Sequence, residues 1–149
     1  MIAIGNGESR SEINIDRIAE TKVGCNAIVR DHIVEHLVCV DKRMLKECIE
    51  NSVNAGTIYT RSNHIKGGSQ IVHGVPQLPY TGKQRWDDPF HWGSGPYAVL
   101  LAAGLSHKVK MIGFDLYGKD DLVNNCYKET KNYDPSTKRA VDPRYWIHQ

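Results

Sequence analysis

Short apolar runs alternate with amphipathic and polar stretches along this chain, which is typical of strands alternating with helices. The first run, Met1 to Ile4, stops at Gly5-Asn6-Gly7. An apolar run that ends in a glycine-rich turn predicts a buried strand leading into a tight loop. Further apolar, β-branched segments predict strands at 22–29, 35–40, 57–60 and, more weakly, 70–75.

Helical spacing is clearest from Lys42 to Asn54, where apolar residues recur every three or four positions. A shorter, imperfect stripe at 13–20 predicts a second helix. Gly93-Ser94-Gly95-Pro96 then opens an apolar, Ala-rich helix at 97–104, and a strand is predicted at 108–114. Strand, helix and strand in this order favour parallel pairing. The sequence therefore predicts one α/β domain over residues 1–149, a Rossmann-like three-layer fold with a mostly parallel central sheet.

Two regions show little periodicity. Residues 61–92 hold three prolines and two tryptophans and are predicted to form a long loop region. Residues 119–149 are polar and predict a short, lid-like C-terminal segment. The aromatic residues and prolines of 61–92 also suit a subunit contact, so a homo-oligomer stays open.

The formal net charge of +2 arises from mixed signs spread along the chain, without the basic stripe of a nucleic-acid binder. No window approaches the roughly 20 apolar residues of a membrane span, and no basic leader begins the chain, so we expect a cytoplasmic protein. The cysteines form no C-x-x-C pair, which favours buried thiols over disulfides or zinc. The mild excess of Lys and Arg is compatible with a small anionic ligand, because one anion needs only local positive potential.

In a parallel sheet, ligands bind beyond the carboxyl ends of the strands. Gly5-Asn6-Gly7 lies at such an end, where bare backbone amides can cradle a phosphate; a plain tight turn is the alternative. Asn26, in the carboxyl-terminal half of the strand predicted at 22–29, suits a ribose or base, or else caps a turn. At a helix start, Gly93-Ser94-Gly95 predicts an anion site, with a simple N-cap serine as the alternative.

Three more residues are candidates for chemistry. Asp115 and Tyr117 follow a predicted strand and suit substrate contact, although a solvated aspartate is the commoner case. His148, with an ordinary pKa of about 6.5, suits proton transfer.

Other chemistries find no support. The chain has no Gly-x-x-x-x-Gly-Lys-Ser/Thr loop, no Gly-x-Ser-x-Gly elbow and no His-Glu-x-x-His helix. Asp87-Asp88 and Asp120-Asp121 are acid pairs that suit a divalent ion, but adjacent acids in polar loops are usually just solvated. We therefore predict no metal and no cofactor.

Taken together and in this order, the motifs resemble those of the bacterial sialyltransferases that use CMP-activated sialic acid, and more loosely of pterin-kinase-like Rossmann proteins. Gly5-Asn6-Gly7-Glu8-Ser9 is similar to the family's Gly-Asn-Gly-Pro-Ser, with Glu8 in place of Pro. The other matches are Cys25-Asn26 with Cys-Asn, Gly93-Ser94-Gly95 with Thr-Ser-Gly, and Gly113-Phe114-Asp115-Leu116-Tyr117 with Gly-Ile-Asp-Phe-Tyr.

The resemblance implies a glycosyltransferase that binds a CMP-sugar or related nucleotide-sugar and transfers the sugar to an acceptor hydroxyl without metal. It implies that Tyr117 contacts the phosphate and that His148 is the general base. The implied nucleotide-binding residues are Gly5, Asn6, Gly7, Ser9, Asn26, Gly93, Ser94, Gly95 and Asp115. The chain is shorter than the family's catalytic chains, so a non-catalytic or regulatory nucleotide-binding domain is the alternative. A Mg-dependent pyrophosphokinase-like enzyme is a third expectation.

Overall fold

A computed structural model describes residues 1–65, 67, 70–78, 92–116, 125–133 and 147. Within these residues the central sheet has six strands: β1 (Ile2–Ile4), β2 (Lys22–Cys25), β3 (Val34–Val38), β4 (Ala55–Thr60), β5 (Val72–Gly74) and β6 (Lys110–Ile112). The order is β5-β4-β3-β2-β1-β6, and every neighbouring pair is parallel. The helices α1 (Lys42–Glu50) and α2 (Ser94–Leu105) accompany the sheet.

The sheet is covered on both faces because side chains alternate along each strand. On one face, Ile4, Leu37 and Ile58 pack in a core cluster with residues of α1 and of the 3-10 turn Asn26–Arg30. On the other face, Ala3 and Val38 pack in a second cluster with residues of α2. These three layers confirm the predicted α/β, Rossmann-like class.

Most elements lie where the apolar pattern predicts them, but their ends differ. The strand predicted at 22–29 stops at Cys25, because Asn26 adopts a φ of 50° and turns the chain into Asn26–Arg30. The helix predicted at 13–20 is wrong. The chain there forms the 3-10 turn Ile15–Arg17, and another 3-10 turn, Glu8–Glu12, precedes the segment.

The Ile15–Arg17 turn is short because only Ile15 of its residues is buried, while Ile13 is 40% exposed. One buried side chain gives a longer helix no apolar face to pack. The helix predicted to 54 ends at Glu50 and is followed by a 3-10 turn, Ser52–Asn54. The region 61–92 contains β5 and the turn Ser62–His64, while its residues 79–91 lie outside the described residues.

All four cysteines are free thiols, and three of them are buried. Burial raises the pKa of Cys25 to about 12, so its thiol stays protonated at neutral pH. No helix among the described residues is long and apolar enough to cross a membrane.

Candidate functional site

The order of the strands places a crevice at the carboxyl ends of β1 and β6. Strands β1 to β5 succeed one another in one direction across the sheet, and the chain then returns through α2 to place β6 on the other side of β1. The strand order therefore reverses between β1 and β6. In a parallel sheet, the loops that follow two neighbouring strands at such a point diverge, and a crevice opens between them. Gly5-Asn6-Gly7 follows β1, and Gly113-Phe114-Asp115 follows β6.

A cavity of about 720 Å³ occupies this crevice. Its lining includes eight of the residues that the sequence predicts for nucleotide binding: Gly5, Asn6, Gly7, Asn26, Gly93, Ser94, Gly95 and Asp115. The ninth, Ser9, is not part of the lining and instead binds the carboxylate of Asp115. Tyr117 and His148 lie outside the described residues, but the residues that precede them, Leu116 and Ile147, both line the cavity.

The first loop uses its backbone amides within the protein. The Gly5 amide donates to the carbonyl of Ile112 at 2.9 Å, and the Gly7 amide donates to the carbonyl of Gly113 at 2.8 Å. A Cβ atom on Gly5 would come within 2.3 Å of the Gly113 carbonyl oxygen, so this close approach requires glycine. The phosphate cradle expected at this turn therefore lacks two of its donors.

Asp115 holds the next donors of that loop. Its carboxylate accepts from the Ser9 amide at 2.9 Å and from the Ser9 hydroxyl. A Cβ on Gly7 would lie 2.4 Å from the Asp115 carboxyl carbon, so Gly7 leaves room for this side chain. The alternative of a merely solvated aspartate is therefore wrong. The carboxylate lies at the start of the 3-10 turn that follows β1, where an anion would otherwise bind.

Asn6 carries the most buried polar side chain that comes from this loop. It is 8% exposed, and its Nδ2 donates to the carbonyl of Cys25 at 2.9 Å. Its Oδ1 is buried and has no hydrogen-bond partner among the described residues. An acceptor in this state costs about 1–3 kcal/mol unless something donates to it.

Ser94 joins three elements beneath the cavity. Its hydroxyl donates to Oδ1 of Asn26 at 2.8 Å and accepts from the amide of Val40 at 3.0 Å. The N-cap of α2 is Gly93, and Ser94 is the first helical residue. The alternative of a simple N-cap serine is therefore wrong, because its hydroxyl ties the helix to residues that follow β2 and β3.

Residues 125–133, here called the 125–133 wall, close one side of the cavity. They belong to the segment 119–149 that was predicted to be lid-like, of which the structure describes only 125–133 and 147, but none of them was predicted as a site residue. Asn125, Lys128 and Tyr133 line the cavity. The wall is joined to the first loop by the Cys126 amide, which donates to the Asn6 carbonyl at 2.8 Å, and by a bridge between Gly7 and Asn125.

Two arginines hold the wall by its tyrosines. The Arg10 guanidinium donates to the Tyr127 hydroxyl at 2.8 Å and lies 5.2 Å from the centre of that ring. Arg30 lies 5.4 Å from the centre of the Tyr127 ring and 5.8 Å from that of the Tyr133 ring. All three distances are within the range of cation–π attraction.

Arg30 also binds the wall through hydrogen bonds. It donates at 2.6 Å to the Thr130 hydroxyl and at 2.6 Å to the Lys131 carbonyl, and it forms a two-point ion pair with the Glu47 carboxylate. The hydrogen bond from Arg30 lowers the pKa of Glu47 below its ordinary value. The wall is thus tied to α1, which carries Glu47.

The remaining lining is mostly apolar. It consists of Cys25, Trp92, Pro96, Val99, Leu100, Ala103, Met111, Gly113, Phe114, Leu116 and Ile147. Lys128 is the one cationic side chain of the described lining, and its amine donates to the Glu8 carboxylate at 2.6 Å. An apolar slot with a few polar groups at one end fits a small molecule that has an apolar ring and a polar part. Among the described residues, no group of three His, Cys, Asp or Glu side chains is placed to hold a metal ion.

Several lining residues gave no signal in the sequence. Asn125, Lys128 and Tyr133 belong to a polar stretch without periodicity, so nothing marked them as neighbours of the first loop. Trp92 precedes one recognised motif and Phe114 lies within another, but neither was predicted as a site residue; an aromatic residue beside a glycine is the signal that points to them.

Comparison with known proteins adds no relative to this picture. No family model, no curated protein and no solved structure matches the chain. Function is therefore inferred from the site itself.

Proposed function

We propose that the cavity between β1 and β6 binds a nucleotide-sugar and that the protein transfers the sugar to an acceptor hydroxyl. The supporting observation is convergence: Asn6, Asn26 and Ser94 come from three separated stretches and meet at one edge of the sheet around a cavity of about 720 Å³. Ligand cavities commonly have volumes of about 300–1,000 Å³ with apolar walls and few polar groups. A nucleoside fits this description, with its base packed against the apolar residues of the lining.

The phosphate of the ligand is assigned to the N-terminus of α2. The helix has twelve residues, so its dipole favours an anion at this end. Gly93, Ser94 and Gly95 line the cavity there. The first loop is the poorer place, since Asp115 already binds Ser9 and the Gly5 and Gly7 amides are engaged.

Transfer breaks the bond between the anomeric carbon of the sugar and the phosphate oxygen, and the leaving nucleotide keeps the electron pair. The acceptor oxygen forms the new bond to that carbon, and its proton passes to a general base. We assign the base to His148 and the stabilisation of the leaving phosphate to Tyr117, on the resemblance. Each directly follows a residue that lines the cavity.

A non-catalytic nucleotide-binding domain is the second candidate. One observation favours it: the Asp115 carboxylate lies at the first loop, where it opposes a second negative charge. A domain of this kind would bind the nucleotide without a productive acceptor geometry.

Calorimetric titration with CMP, CDP, UDP and ATP, each with and without Mg²⁺, tests the proposal. We expect CMP to bind at least tenfold more tightly than UDP or ATP, with the same Kd in EDTA. An absence of binding by all four nucleotides would contradict the proposal. Binding that depends on Mg²⁺ would instead favour the pyrophosphokinase-like reading, whose acids Asp87 and Asp88 lie outside the described residues.

A second experiment measures transfer of the sugar from CMP-sialic acid to a panel of sugar acceptors. We expect His148→Ala to abolish transfer and to leave the Kd for CMP nearly unchanged. The matched control is His107→Ala, because His107 is exposed after α2. Equal transfer by His148→Ala would remove His148 from the mechanism, and CMP binding without any transfer in the wild type would favour the non-catalytic candidate.

A further inference from the structure

Two residues of the lining, here called the floor of the cavity, carry hydrogen-bond acceptors, so a ligand group that binds to them must be a donor. They are Asn6, whose buried Oδ1 has no hydrogen-bond partner among the described residues, and Asp115, through its carboxylate; both residues line the cavity. We infer that this floor binds the vicinal hydroxyl groups of the ligand's ribose and not its phosphate. The inference rests on the proposed nucleotide binding and specifies how the ligand is oriented.

The first step concerns the direction of the Asn6 amide. A backbone carbonyl can only accept, so the group that faces the Cys25 carbonyl at 2.9 Å is Nδ2. Oδ1 then points away from Cys25 and has no donor among the described residues. With Asn6 only 8% exposed, a ligand donor is what this oxygen lacks.

The second step concerns charge. The carboxylate of Asp115 accepts two hydrogen bonds from Ser9, and a carboxylate has about four acceptor positions. It can therefore accept from a ligand as well, but it repels an anion. The amides of Gly5 and Gly7, which would have offset that repulsion, donate to backbone carbonyls of the chain.

The third step concerns which donor fits. Asp115 lies against Gly7, the residue after Asn6, so the two residues that carry the acceptors meet at the same loop. A vicinal diol offers two neighbouring donors, and an acidic side chain that binds ribose hydroxyls beyond a strand end recurs in doubly wound folds. The phosphate then extends towards the N-terminus of α2.

Binding of CMP and of 2′,3′-dideoxy-CMP, measured by calorimetry, tests this inference. For the wild type we expect the dideoxy compound to bind at least tenfold more weakly. The gap between the two compounds is the ratio of their Kd values. Asn6→Ala should weaken CMP binding about tenfold and narrow this gap by a similar factor. Asn54→Ala is the matched control, because Asn54 also donates its Nδ2 to a backbone carbonyl, that of Val29 at 2.8 Å, away from the cavity. The control should keep the full gap.

Asp115→Asn provides a second variant in case Asn6→Ala does not fold, and it should also narrow the gap. Equal binding of the two compounds by the wild type, or an unchanged gap in both variants, would overturn the inference and leave the proposed function intact. A preference for CMP over UMP that Asn6→Ala removes would show that Oδ1 accepts from the base amine, which also overturns it. If the wild type binds no nucleotide, the proposed function fails first, and the inference fails with it.

Discussion

At the scale of single residues, Ser94 shows how one hydroxyl joins the elements beneath the cavity. It is 5% exposed and satisfies both Val40 and Asn26, so Ser94→Ala leaves one buried donor and one acceptor without partners. We expect a loss of about 1–3 kcal/mol in the free energy of unfolding, measured by urea denaturation. Ser106→Ala is the control, since the Ser106 hydroxyl donates to the Lys108 carbonyl at an exposed position. A loss no larger than in the control would show that the Ser94 hydroxyl is not structural.

The sequence predicted that Asn6, Asn26 and Ser94 belong to one site, because Asn6 follows a predicted strand, Asn26 lies in the carboxyl-terminal half of another, and Ser94 stands at a helix start. It could not predict their bonds. Ser94 looks like an N-cap from local spacing alone, and only the packing of α2 against β1, β2 and β3 brings Asn26 within reach. The partner of Asp115 was likewise out of reach, since Ser9 lies 106 residues earlier.

At the scale of elements, the apolar runs were enough to place β1, β3, β4 and α2 within a few residues. The error at β2 has a local cause: the segment 26–29 is as apolar as the strand before it, but it packs as a turn once Asn26 leaves the extended region. A lid-like segment was predicted over 119–149, but the attachment of the 125–133 wall could not be predicted, because its anchors are Arg10 and Arg30, about a hundred residues away in the chain.

The attachment of the wall to α1 should appear in the dependence of stability on pH. Arg30 lowers the pKa of Glu47 in the folded protein relative to the unfolded chain. The ionised carboxylate therefore stabilises the fold above the unfolded pKa of about 4.5, and this contribution is lost as the pH falls through the lower, folded value. We expect Glu47→Gln to lose stability at pH 7 and to show a flatter decline between pH 5 and pH 3.

Urea denaturation at pH 7, 5, 4 and 3 measures this effect. The control is Glu50→Gln on the same helix. Glu50 is exposed, and its ion pair with the exposed Lys46 is long, with 4.0 Å between the amine and the carboxylate oxygen. That variant should follow the wild-type curve closely. An acid limb in Glu47→Gln as steep as in the wild type would show that the pair with Arg30 does not govern the pH dependence.

At the scale of the whole molecule, the site exists because β6 pairs with β1 and not with β5. The alternation of strands and helices predicted the fold class, but the position of the crevice depends on where α2 returns the chain. Nothing in the local pattern of 108–114 states which strand it joins. Where the two strands end, the amides of Gly5 and Gly7 donate hydrogen bonds to the carbonyls of Ile112 and Gly113, and these bonds stabilise the pairing.

Gly113 is the residue on which this junction depends most. Its φ is +68°, and a Cβ there would come within 2.7 Å of the Gly5 carbonyl oxygen, a backbone atom that cannot move without displacing the first loop. We expect Gly113→Ala to lose about 1–3 kcal/mol in the free energy of unfolding and to bind CMP more weakly, since the floor shifts. Gly104→Ala is the matched control: it lies in α2, a Cβ there meets nothing within 4 Å, and the variant should gain about 0.5–1 kcal/mol. Urea denaturation and CMP calorimetry measure both. If Gly113→Ala were as stable as the wild type and bound CMP equally well, the junction of β1 and β6 would not be what shapes the floor of the cavity.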